Sequence, residues 1–413
     1  MISFAQMLLR FKSVCRQLFL VALLLFCGCA PALKTAPPLA EFNLDNFRDD
    51  RDLDSLRAAI VESKSYLAKL PPDRVVGEQP RRLTANEVLA SLLAFEQLLD
   101  QWACAPCLAR ELRARFELVP SSADPRLAEI LFTGYYQPVI EGSPVPTAEY
   151  RYPVYGKPTD LVTAEQVSVG PAMQVETVFG RVEGEQFTPY YTRREIDQLG
   201  ALRGRGLELA WVKDPVDLFF LQIQGSGIIR FPDGAQRGFG YTAQNGWPYR
   251  SIGRWLIDKG KLSKDEMSMQ RLRRYLAEHP SERDEIFAYN ESYVFFRELR
   301  DGPLGSLGVP VTAGRSVATD SRLFPKGALA LIQTRIPIVD DSGQLNDWLP
   351  IARFVLNQDT GGAIRGLQRA DIYFGSGDHA AGLAGYMNSP GKIFFLLLKK
   401  ADESMNPEWS RSR

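Results

Sequence analysis

From Val309 to Leu398 the chain is a succession of short strand-forming segments: Val309–Ala318, Ala328–Gln333, Trp348–Leu356, Ala370–Phe374 and Lys392–Leu398. Glycine-rich turns separate them. Strands this short and closely spaced point to a small closed barrel. Similar segments lie around Val139, Tyr152–Tyr155, Phe187–Tyr191 and Leu218–Ile229, bounded by Gly, Pro, Asp and Ser. Helical spacing comes first: Leu53, Leu56, Ile60, Leu67 and Leu70 recur as one stripe that Pro71-Pro72 ends. Thr84-x-x-Glu87 is a capping box for a second helix running through Trp102. A helical interlude spans Ile252–Lys259, then a helix capped by Ser263-x-x-Glu266 that stops at Pro280. The fold class is therefore mainly β with N-terminal helices.

The first residues belong to a leader. Arg10, Lys12 and Arg16 precede the apolar run Leu18–Phe26, which is too short to span a bilayer comfortably. The run ends in Leu25-Phe26-Cys27-Gly28-Cys29, which resembles a lipobox with Cys29 as the lipidated residue, and Ala30–Pro38 follows as a solvated tether. Ala30 rather than Asp after Cys29 is similar to lipoproteins of the outer membrane. The expectation is a protein lipid-anchored in the outer membrane and facing the periplasm.

Net charge is zero, and the leader carries three basic and no acidic residues, so the remainder sits near −3. A nucleic-acid binder would be strongly basic. Cys104-Ala-Pro-Cys107 is most simply a local disulfide in an oxidising compartment. One CxxC with two histidines in the whole chain makes a poor zinc set, and no βαβ context supports a redox motif.

Chemistry concentrates in Asp359-Thr-Gly-Gly-Ala-Ile-Arg-Gly366 and Arg369-Ala-Asp371-Ile-Tyr-Phe-Gly-Ser-Gly-Asp378. Asp371 opens a strand in which Ile372 and Phe374 alternate with Asp371 and Tyr373. A carboxyl beside a tyrosine on an apolar strand is partly desolvated, which favours the protonated acid that general acid catalysis needs. Asp359 and Asp378 adjoin glycines, where aspartate commonly serves a turn. Three aspartates here also raise a metal site, but the spacing does not match an EF-hand and no metal or other cofactor is expected. In Phe219–Gln224, read as a strand, Gln222 and Gln224 share one face and, with Gly225-Ser226-Gly227, suit sugar hydroxyls and acetamides. Tyr135, Tyr136, Trp247 and Tyr249 are candidate stacking surfaces, with core packing an equal alternative for each.

Asp359, Asp371 and Asp378 in their glycine-rich setting resemble the three aspartates of the 3D domain in the membrane-bound lytic murein transglycosylase A family. So do Gly314-Arg-Ser-Val-Ala-Thr-Asp320, Phe324-Pro-Lys-Gly327, Phe132-Thr-Gly-Tyr-Tyr-Gln-Pro138, Asp214–Gly227 and Tyr293-Val-Phe-Phe-Arg-Glu298, in the family's order. The resemblance implies a double-psi β-barrel plus an inserted second β-rich domain, with a groove between them for glycan. The corresponding spans are a signal peptide at 1–28, lipidated Cys29 and tether at 29–45, a helical part at 46–138, the insert at 139–300, the barrel at 301–402 and a tail at 403–413.

It further implies a lytic transglycosylase acting on peptidoglycan strands between N-acetylmuramic acid and N-acetylglucosamine, with a wall-synthesis complex as a further partner left open. Asp371 would be the single catalytic acid and base, Asp359 a supporting aspartate, and Thr133, Gly134, Tyr135, Tyr136, Gln222, Gln224, Gly225, Ser226 and Asp378 the groove residues. An ordinary glycosidase needs two carboxylates; a lytic transglycosylase uses the sugar's own C6 hydroxyl, so one suffices. The alternatives are a hydrolase on the same barrel, with Asp359 or Asp320 as second carboxylate, and a non-catalytic wall-binding protein. The Cys-Ala-Pro-Cys segment stands outside the family pattern, and His379 beside Asp378 has no role in it.

Overall fold

A computed structural model describes residues 44, 47–168, 174–300, 302–341, 343–362 and 364–399. The leader, Cys29, the tether apart from Leu44 and the C-terminal tail lie outside the described residues. Helix α1 (Leu53–Leu67) opens behind Asp52, whose carboxylate accepts the Ser55 amide, and buries Leu56, Ala59, Ile60, Ser63 and Leu67. A ribbon of β1 (Val75–Gly77) and β2 (Leu83–Thr84) leads into α2 (Ala85–Glu96), whose Thr84/Glu87 capping box is formed in both directions. The helix stops short of Trp102, with a 3₁₀ turn at Leu99–Gln101. Helix α3 (Ala105–Arg115) follows Cys104, which is disulfide-bonded to Cys107, and β3 (Phe116–Pro120) completes the N-terminal part.

Strand β4 (Ile130–Gln137) runs almost directly into β5 (Val139–Ser143), followed by β6 (Tyr152–Tyr155) and a meander of β7 (Val162–Ser168), β8 (Gln174–Glu183) and β9 (Gln186–Pro189). Then come α4 (Arg193–Asp197), β10 (Glu208–Val212), α5 (Pro215–Gln224), β11 (Ser226–Arg230) and β12 (Gln236–Gln244). Helices α6 (Ile252–Asp258), α7 (Met269–Glu278) and α8 (Arg283–Tyr289) precede β13 (Val294–Leu299). The C-terminal elements are β14 (Ser316–Ala318), β15 (Leu329–Val339), β16 (Leu345–Asp359), β17 (Arg369–Ser376), α9 (Gly377–Tyr386) and β18 (Asn388–Leu398).

Two main sheets result. One is six-stranded, in the order β13-β12-β11-β5-β10-β6. The other runs β15-β16-β14-β17-β4-β18-β3, and a further β15–β18 pairing closes six of its strands into a barrel. The barrel is thus not made from the C-terminal segments alone: β4, from ahead of the six-stranded sheet, is inserted parallel to β17 and antiparallel to β18. Apolar faces of α1 and α2 cover the barrel, with Phe95 and Phe47 edge-on to Phe354 at 4.8 and 5.0 Å. Buried Gln358 ties α1 to the barrel, donating to the Ala59 carbonyl and the Ser63 hydroxyl.

Three further expectations change. Phe219–Gln224 is the helix α5, not a strand: Asp214 caps it, Pro215 opens it, and Gly225, at φ 76°, closes it in the left-handed region. Only Ser316–Ala318 of the Val309–Ala318 segment is a strand. Ser263 and Glu266 do form a cap-like pair, but the helix begins later, with Ser268 as its N-cap.

A candidate active site in the barrel wall

Strand β17 lies between β14 and β4. Ala370, Ile372 and Phe374 point into the apolar core, so Asp371 and Tyr373 face the opposite way. Thr133 and Tyr135 sit beside them in register on β4, and Ala318 of β14 pairs with both Asp371 and Asp359. The row across the wall is therefore Thr133, Asp371, Ala318, Asp359. With about 4.8 Å between strands, the two aspartates are about 10 Å apart at Cα.

Asp371 is held on both sides. The Thr133 hydroxyl donates to its Oδ1 at 2.5 Å, and Arg369 Nε donates to the same oxygen at 3.1 Å. Arg369 Nη2 lies 3.3 Å from Oδ2 and 3.3 Å from the Thr133 hydroxyl. The Asp371 side chain is 14% exposed and that of Arg369 34% exposed. The apolar surroundings expected for Asp371 are thus replaced by a hydroxyl and a cation. The strand begins at Arg369, ahead of the Ala370–Phe374 segment expected, which puts Arg369 on the face of Asp371. Arg369 was absent from the candidate residues, although the two-residue period of a strand places it there.

Asp359 is engaged differently. The Ser306 and Thr360 amides both donate to its Oδ1 at 2.8 Å. Burial pushes its carboxyl up from the usual range, and those amides oppose the shift. Tyr135, ring to ring with Tyr373 at 5.1 Å, has a buried hydroxyl on the side of Asp359. Burial, then the neighbouring Asp359 charge, raises its phenol far above the ordinary value.

Asp320 serves the framework. Burial works against its charge, but Arg322 and the Gly366 and Arg322 amides outweigh that and lower its carboxyl to about 2. Since this lies below the unfolded value of about 3.9, ionised Asp320 adds stability above about pH 4. That contribution is lost as pH falls through about 2. Asp320→Asn is expected to lower stability at neutral pH and to flatten the loss between about pH 4 and 2. Denaturant melts of both proteins across that range check it; parallel acid profiles would refute it.

The remaining candidates separate. Gly134 points away from Asp371: a Cβ there would come within 2.7 Å of Phe374 and 2.8 Å of Ala384, so glycine is required by packing. Tyr136 is buried against Ala380 and Ala384, beneath α9. Gln222 does not line a groove. It is buried, accepts a hydrogen bond from Arg193 Nη1, and belongs to a cluster in which Arg193 also donates to the Asn290 and Ser292 carbonyls. Gln224 accepts the Tyr136 amide at 3.0 Å and so fastens the end of α5 to β4. Gly225 is the helix terminator and Ser226 the first residue of β11, and neither is brought to Asp371 by a hydrogen bond. Asp378 stands exposed in the first turn of α9, next to exposed His379.

Trp247 is half-buried, its indole donating to the Tyr190 carbonyl. Tyr249, by contrast, remains 37% exposed and lies within the fields of Arg369, Arg193 and Asp371, although desolvation is the largest influence raising its phenol. It is the aromatic that the segment after β12 brings to the site. Among the described residues, no group of three or more His, Cys, Asp or Glu is placed to hold a metal, and no helix is long and apolar enough to cross a membrane.

Residues 131–297 match the family model of the MltA specific insert domain, and residues 315–397 that of the 3D domain. A crystal structure of a membrane-bound lytic murein transglycosylase from Agrobacterium tumefaciens superposes with a TM-score of 0.69 and 33% identity, covering 84% of this chain and 92% of that one. This chain belongs to the membrane-bound lytic murein transglycosylase A family. The family member from Escherichia coli strain K12 is 35% identical over 270 residues, 65% of either chain. The chain thus spans about 65% of the length of that curated relative. A structure of Escherichia coli MltA with bound chitohexaose has a TM-score of 0.64 at 27% identity, covering 89% of this chain and 96% of that one.

Proposed function

We propose that this protein is a lytic transglycosylase that breaks the β-1,4 bond between N-acetylmuramic acid and N-acetylglucosamine in peptidoglycan. Asp371 acts first as acid and then as base. The observation that carries the reading is the division of labour among the carboxylates: Asp371 is held by side-chain donors alone, a hydroxyl and a part-exposed guanidinium, whereas Asp359 is tied to two backbone amides and Asp320 to Arg322 and the Gly366 amide. A two-carboxylate hydrolase would have to recruit one of these occupied groups. The printed names of the relatives and the chitohexaose complex of the Escherichia coli protein support a glycan as substrate.

Thr133 and Arg369 Nε both hold Oδ1, so Oδ2 is the oxygen freer to carry the proton. Protonated there, Asp371 delivers the proton to the bridging oxygen as the C1–O bond breaks and N-acetylglucosamine leaves. The resulting carboxylate then removes the proton from the C6 hydroxyl of the muramoyl residue while that oxygen closes on C1. The product is a 1,6-anhydro sugar, and Asp371 is returned protonated. Intramolecular attack gains from proximity, so no activated water is needed.

Cys29 is the lipid anchor in this reading and the outer membrane its location, supported by the lipobox-like sequence and by the membrane-bound relatives. The test is mass spectrometry of muropeptides released from purified sacculi by the soluble chain beginning at Ala30. Products lighter than their hydrated counterparts by one water are expected. Hydrated reducing ends would mean a hydrolase, and no products at all a binding protein.

A further inference from the structure

The site holds a cation that in the resting structure reaches both oxygens of the carboxyl that the proposed chemistry needs protonated. Arg369 is paired with the carboxylate that must become a proton donor. A guanidinium has donors and no acceptor. Its fork suits a carboxylate better than a neutral acid: the Nε contact to Oδ1 can persist, but the Nη2 contact to Oδ2 has to give way before Asp371 delivers a proton from that oxygen.

Other groups facing Asp371 do not substitute for this cation. Thr133 and Tyr135 come from β4, Ala318 from β14 and Tyr249 from the segment after β12, while Asp359 lies beyond Ala318 and Arg193 reaches the site only through Tyr249. Arg369 is also the more open partner, at 34% against 14% exposure. Its Nη2 contacts to Asp371 Oδ2 and to the Thr133 hydroxyl are long, at 3.3 Å. A part-exposed pair is worth little and exchanges readily for another carboxylate.

The substrate of the proposed reaction carries such an anion on the sugar whose C1–O bond breaks. Unsubstituted N-acetylmuramic acid bears a lactyl carboxylate at O3, and N-acetylglucosamine does not. We propose that Arg369 is a substrate-charge sensor: the lactyl carboxylate of peptide-free glycan takes the guanidinium from Asp371. Asp371, left with the Thr133 hydroxyl, then takes a proton from solvent and is armed as the acid. One carboxylate replaces another on the same cation, so the exchange conserves its pairing. This inference rests on the transglycosylase reading and adds to it a preference for strands with free lactyl acid over strands whose lactyl group is amidated.

The experiment compares two preparations of peptide-free glycan strands, one with free lactyl carboxylates and one with these converted to primary amides. For the soluble chain from Ala30, kcat/KM is expected to be about ten- to hundredfold higher on the acid strands, the scale of one charge-assisted hydrogen-bonded pair. Arg369→Met should reduce that ratio to near one, and Arg369→Lys should keep part of it. No preference in the unaltered chain, or a preference that survives Arg369→Met, overturns the proposal.

Binding is read separately by calorimetry on Asp371→Asn. Acid strands should bind more tightly than amidated ones, and adding Arg369→Met should abolish the difference. Equal binding to Asp371→Asn overturns the sensor whatever the turnover. Absence of cleavage of either strand by the unaltered chain, with the binding difference intact, instead refutes the catalytic reading and leaves Arg369 as a carboxylate-binding residue.

Discussion

Asp371→Asn is expected to leave a folded protein that still binds glycan but whose turnover falls by about 10²–10⁴-fold, the usual worth of a positioned acid–base group. The amide matches the carboxylate in size and still accepts from the Thr133 hydroxyl, so the strand contacts on either side survive. It has no proton to give at the first step and no basic oxygen for the second. Rate of anhydromuropeptide release, measured beside a thermal melt and a glycan titration, separates this from simple unfolding. Near-normal release by a folded Asp371→Asn would remove Asp371 from the mechanism.

The second large effect is structural. Asp49 and Arg315 form an ion pair at 2.7 Å with side chains 1% and 0% exposed. Arg315 also donates to the Phe354 and Asp52 carbonyls and to the Ser55 hydroxyl, and the same Asp49 oxygen accepts the Phe354 amide. Asp49→Ala removes one charge and strands the other, together with a buried N–H. Arg51 and Arg353 crowd the same place against Gly314, so the excess of positive charge has nowhere to go.

A loss of about 3–5 kcal/mol is expected, the range for breaking one side of a buried pair. Removing both charges as Asp49→Leu with Arg315→Met should cost less than Asp49→Ala alone, since no unpaired ion remains. Urea midpoints of the three proteins test this. A double variant weaker than the single would show that the pair's other hydrogen bonds, rather than the stranded charge, set the cost.

Local signals in the sequence translated well where the chemistry is local. The Thr84–Glu87 box and the α1 stripe need only neighbours a turn away. The strand reading of Phe219–Gln224 failed because α5 is buried on nearly every side: Val216, Leu218, Phe219, Phe220, Leu221 and Gln222 are all enclosed. A helix without a wet face loses its 3.6-residue signature, and chance alternation of Gln with apolar residues then imitates a strand. The boundary residues Asp214, Pro215 and Gly225 held the better information.

At the site, family resemblance singled out Asp371, and the two-residue period of a strand would have placed the overlooked Arg369 on its face. That Thr133 would be hydrogen-bonded to Asp371 was not legible, because no local rule pairs residues 238 positions apart. Gln222 is buried rather than on a groove, and in sequence an amide whose oxygen is held by an arginine looks the same as one awaiting a sugar.

The separation of Thr133 from Asp371 also has a temporal meaning. Strand β4 emerges early during synthesis and must wait for β17 and β18, its two neighbours in the barrel, until nearly the whole chain exists. Contacts so distant in sequence form late and slowly. The six-stranded sheet, whose strands all fall between Val139 and Leu299, has no such dependence and can assemble first. A chain cut short before β18 would contain Thr133, Arg369 and Asp371 and yet have an open barrel.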